Sequence, residues 1–83
     1  MATIRATVNN FGFHVLDVKF DMVGTGDAFG MVDMCLKATI QDYNQSEWFW
    51  KEVKQEVLKD GVSSYYWGDS LITLYYEVDG FNN

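Results

Sequence analysis

The chain has 83 residues, with 12 Asp and Glu against 6 Lys and Arg, for a formal net charge of −6. This length holds one domain with one modest core, and a hydrophobic share of 48% is ample to fold it, which excludes a disordered chain. The acidic balance disfavours nucleic acid and anionic membrane as direct ligands, because both need a cationic protein face, and it favours a basic protein partner.

Residues 3–9 alternate, with Ile4, Ala6 and Val8 on one side and Arg5 and Thr7 on the other, which is strand periodicity. Asn9, Asn10, Phe11 and Gly12 carry the signature of a hairpin turn. Alternation resumes over 13–22, placing His14, Leu16, Val18, Phe20 and Met22 on one face and Phe13, Val15, Asp17, Lys19 and Asp21 on the other. A loop, GTGDAFG, occupies 24–30. Over 31–42, Val32, Met34, Leu36, Ala38 and Ile40 alternate with Asp33, Cys35, Lys37, Thr39 and Gln41; the pattern predicts a third, long strand, with a short helix as the competing period.

Ser46–Gly61 reads as a helix. Asn44 or Ser46 can cap its start and Gly61 suits the left-handed position after its end. Phe49, Trp50, Val53 and Val57 form one apolar face, and Trp48 projects away from it. Residues 62–67 and 71–79 read as two further strands around Gly68, Asp69 and Ser70. The expectation is therefore one α+β domain over 1–83, with an antiparallel sheet of about five strands, one helix on one face, and the order βββαββ. The helix would pack on Ile4, Ala6, Val8, Leu16, Val18, Phe20, Leu36, Ala38, Ile40, Ile72, Leu74 and Val78, leaving the other sheet face open.

Catalytic and cofactor signals fail on spacing. In GTGDAFG the third glycine comes one residue late for a dinucleotide fingerprint, and a strand is expected next, so the segment reads as a β–β loop. His14 and Cys35 are each the only one of their kind, and alternation sets them on opposite sheet faces, which makes a poor nucleophile–base pair. One Cys and one His cannot build a zinc set. The carboxylate pairs Asp17 with Asp21 and Asp27 with Asp33 lack calcium-loop spacing. The expectation is a non-enzyme with no cofactor and no metal; a small hydrolase is the least favoured alternative.

Two binding signals remain. Aromatic residues are dense, and Trp48, Trp67 and Tyr75 are candidate exposed anchors. Glu52, Glu56 and Asp60 recur every four residues, a row of carboxylates about 6 Å apart that resembles the phosphate repeat of a nucleic-acid strand. Lys51, Lys54 and Lys59 on the same helix partly neutralise it. RNA stacking on the sheet is disfavoured, since Arg5, Lys19 and Lys37 face several acids.

No apolar run approaches the roughly 18–20 residues of a membrane span, the N-terminus lacks a signal-peptide pattern, and a lone Cys35 agrees with a reducing compartment; a cytoplasmic protein is expected. In composition the chain resembles the small inhibitors encoded by phages and mobile elements, such as anti-CRISPR and anti-restriction proteins. That resemblance implies a non-catalytic inhibitor of a nucleic-acid-handling enzyme; the two binding signals give Trp48, Glu52, Glu56, Asp60, Trp67 and Tyr75 as its expected partner-binding set. The alternative is a homo-oligomeric accessory protein that pairs through the open sheet face or an edge strand.

Overall fold

The hairpins expected at the two ends of the chain both form, and what lies between them is helical. The computed structural model describes residues 2–22 and 27–78. Its elements are β1 (Ala2–Asn10), β2 (Phe13–Asp21), α1 (Ala28–Thr39), α2 (Glu47–Asp60), β3 (Val62–Trp67) and β4 (Ser70–Val78). The sheet is antiparallel with order β2-β1-β4-β3, so the first and last strands lie side by side at its centre. The α+β class holds; the expected five strands and single helix are corrected to four and two, and the order βββαββ to ββααββ.

The corrected segment is 31–42. Its apolar residues satisfy two periods at once, but Ala28, Phe29, Val32 and Leu36 are the buried ones, a helical stripe. Met34 is 67% exposed, and Ala38, expected in the core, is exposed too. Ala, Met, Leu and Lys favour the helix, and Val32 and Thr39 are its only β-branched residues. Asp27 caps the start by accepting from the Gly30 amide at 3.0 Å, and Lys37 pairs with Asp33 one turn earlier at 3.0 Å. A turn closed by the Tyr43 amide on the Ile40 carbonyl, with Asp42 left-handed at φ 62°, then drops Tyr43 into the core.

A second correction concerns His14. Val8 pairs with Leu16 but Asn9 pairs with His14, so β2 carries one extra residue at Val15, a bulge. The bulge reverses the side-chain phase. Leu16, Val18 and Phe20 stay toward the core, whereas His14 shares the outer face with Asn9 and is exposed.

Ile4, Ala6, Val8, Ile72 and Leu74 rise from the two central strands and are fully buried under Val32, Leu36, Val53 and Val57. α1 lies over β1 and β2, and α2 over β3 and β4. Val78 lies outside this core, at 61% exposure. The helical reading of 28–39 separates two residues that a strand would keep together. Leu36→Ala is expected to cost about 2–5 kcal/mol in urea unfolding, and Met34→Ala to stay within about 0.5 kcal/mol of the parent. Equal losses would restore the strand.

Candidate functional site

α2 begins and ends as its sequence dictates. Of the two capping candidates, Ser46 serves, its Oγ accepting from the Phe49 amide at 3.1 Å. Gly61 closes the other end at φ 85°, and the chain turns directly into β3, so helix and strand run back along each other.

At 100° per residue, the contacts fix which way each side chain points. Val53 and Val57 face the sheet and are buried. Trp50 meets Phe29 of α1 edge-on at 6.1 Å, and the Lys54 ammonium sits 6.0 Å from both ring centroids. On the opposite flank Phe49 meets Tyr65 of β3 at 5.2 Å, and Glu56 accepts a hydrogen bond from the buried Ser63 hydroxyl. Glu52, Glu56 and Asp60 therefore line the β3 side of the helix, and all three are exposed. Lys51 and Lys54 turn toward the α1 side. Trp48 stands outward at 72% exposure, clear of the core.

The expected binding set is thus split. Trp48, Glu52, Glu56 and Asp60 share α2. Trp67 lies on the inner sheet face, half-buried, with its ring 5.2 Å from that of Tyr43. Tyr75 lies on the outer face beneath the Arg5 guanidinium, 5.6 Å from its centroid. Trp67 and Tyr75 join neither each other nor the acidic row.

The outer face is held by charge pairs. Arg5 donates to both Asp17 oxygens at 3.0 and 2.8 Å, and those hydrogen bonds hold the Asp17 carboxyl below its usual range. Lys19 approaches Glu77 at 3.4 Å. Asp33 and Cys35, expected on this face, are on α1 instead. Cys35 is half-buried there and His14 lies across the sheet, so the two form no pair. No group of three or more potential metal ligands exists among the described residues, and no helix among them is long and apolar enough to cross a membrane.

The glycine loop also needs correcting. Residues 24–26 lie outside the described set, but Asp27 to Gly30 open a helix rather than a strand. The Asp27 carboxylate occupies the Gly30 amide that a phosphate would need, and its charge opposes an anion there.

Two features escaped the sequence reading. One is the Glu56–Ser63 bond, which a seven-residue separation across a turn hides. The other is Tyr43, whose hydroxyl lies 2.8 Å from that of Tyr65. The expected hairpin turn does form, with Phe11 left-handed at φ 52° before Gly12 at φ 85° between β1 and β2.

Comparison of the chain with protein-family models, curated proteins and solved structures returns no match.

Burial holds both the Tyr43 and Tyr65 phenols above the ordinary tyrosine value of about 10. A pKa raised by folding means that the folded state keeps protons the unfolded chain releases. The stabilisation is complete below the unfolded value and is lost as pH rises above it. Stability to urea is expected to fall above about pH 10, and a Tyr43→Phe/Tyr65→Phe variant to show a shallower fall over the same range. An unchanged slope would remove the pair as its cause.

Proposed function

We propose that this chain is a small, non-catalytic, acidic binding protein of the cytoplasm that docks the outer side of α2 on a basic protein surface. The observation that carries the reading is Trp48. It is 72% exposed, next to the exposed Glu52, on a helix whose core contacts are made by other residues. A large aromatic exposed without a structural task is the residue type that dominates interface energies once a partner desolvates it. The adjoining carboxylates supply steering and register more than raw affinity.

A surface built to receive nucleic acid would meet this requirement, since it offers cations at a spacing the acidic row can match. The proposed role is inhibition of a nucleic-acid-handling enzyme, in the manner of anti-CRISPR or anti-restriction proteins. A second reading, self-association, draws on Phe11, Phe13 and Tyr66, which are 69–76% exposed near one end of the sheet. Sedimentation equilibrium separates the two: a stable dimer would favour self-association.

Immobilised chain is expected to retain a basic, nucleic-acid-binding protein from host lysate at about 0.1 M salt and release it near 1 M, where the Debye length falls to about 3 Å. Competing duplex DNA should displace the chain from that protein. Trp48→Ala should weaken binding by about 2 kcal/mol, roughly 30-fold, and leave folding stability within about 0.5 kcal/mol of the parent. Unchanged affinity in Trp48→Ala combined with Glu52→Lys would exclude this surface.

A further inference from the structure

Of the two strands at the sheet's borders, β2 is protected and β3 is not. β2 carries the bulge at Val15 and a lysine, Lys19, both devices that discourage strand addition. β3 has the sequence VSSYYW, with no charge, no proline and no break in its register with β4. Among the described residues its only strand partner is β4, so one row of its backbone groups is free to pair.

The chemistry beside that edge specifies what could pair with it. On the inner side, Glu56 accepts from Ser63 of β3, and helical phase sets the exposed Glu52 and Asp60 on the same flank of α2. On the outer side, Val62 is 42% and Tyr66 69% exposed, with Ser64 between them. An added strand sends alternate side chains to each side, repeating about every 6.7 Å. The helix row repeats about every 6 Å. Cations at every second position of an added strand would therefore meet the carboxylates nearly in step, and the intervening residues would lie against Val62 and Tyr66. A second copy of this chain fits badly, because pairing β3 with β3 brings two acidic rows together.

We infer that the β3 edge is a strand-addition site for an extended segment of a partner protein in which Lys or Arg alternates with apolar or β-branched residues. This rests on the acidic-partner reading above and gives it a binding mode: backbone hydrogen bonds supply affinity, and the two-sided alternation supplies specificity.

The test uses the full chain, isotopically labelled for amide NMR, and three synthetic octapeptides. The first is Lys-Val-Lys-Thr-Lys-Val-Lys-Thr. The second has the same composition with its four lysines in one block. The third is the first with alternate amides N-methylated along the edge that would face β3. The expected result is that the alternating peptide binds at least tenfold tighter than the blocked one and perturbs the amides of 62–67, with the N-methylated peptide much weaker. Glu52→Lys/Asp60→Lys should weaken the alternating peptide at least tenfold; both side chains are exposed, so the fold is kept. Equal binding of alternating and blocked peptides, with shifts around Trp48, would overturn strand addition and leave the acidic-partner reading standing. Shifts along 13–21 would overturn the choice of edge. No binding by any peptide at low salt would overturn both.

Discussion

Helices pack with their axes about 8–10 Å apart, and strands in a sheet lie about 4.8 Å apart. One helix therefore roofs two strands, and a four-stranded sheet needs two. The rest of the structure depends on that match of widths. α1 covers β1 and β2, and α2 covers β3 and β4. The buried residues of the central strands, Ile4, Ala6, Val8, Ile72 and Leu74, lie where both helices reach. Were 28–39 a fifth strand, the remaining helix would roof less than half the sheet and several of these side chains would meet water. The contact of Phe29 with Trp50 helps join the two helices into one layer.

The same constraint explains what could be read from the sequence alone. The hairpins were legible because each combines alternation with turn residues, and α2 because Ser46 and Gly61 mark its ends. α1 was not, because Val32, Met34, Leu36, Ala38 and Ile40 alternate perfectly. Only the need to roof the sheet, a tertiary demand, selects the Phe29–Val32–Leu36 stripe over that alternation. His14 was misplaced for another reason: a bulge leaves no mark on composition, yet one extra residue reverses every side chain beyond it. In the candidate site, Trp48 was legible from helical phase. Trp67 was not, because within the run Tyr65-Tyr66-Trp67 nothing local says which members face inward. Its inward face follows from the register with β4, which pairs it with Ser70.

Charge is distributed with similar economy. Among the described residues, ion pairs engage Arg5, Lys19 and Lys37, and the other three cations all belong to α2. Of these, Lys54 is drawn over the Phe29 and Trp50 rings, on the side away from β3. The carboxylates on the β3 flank keep one lysine beside them, Lys59, three residues after Glu56 and on the same side by helical phase. Glu56 is the exception in function rather than position: its bond to buried Ser63 ties helix to strand, so it serves the fold as well as the surface.

The outer sheet face competes with this flank as a contact surface, and its chemistry argues against it. Thr3, Thr7 and Thr73 are each under 9% exposed although no helix covers them. They are screened by longer neighbours: Arg5 bridges to Asp17 and lies over Tyr75, and Lys19 reaches toward Glu77. Ser64 also donates to Thr73 at 3.0 Å. A partner docking over these threonines would have to break paired charges and satisfied hydroxyls, at a desolvation cost. The β3 edge asks for nothing to be broken. Its backbone groups exchange water for a strand, and its carboxylates exchange water for cations.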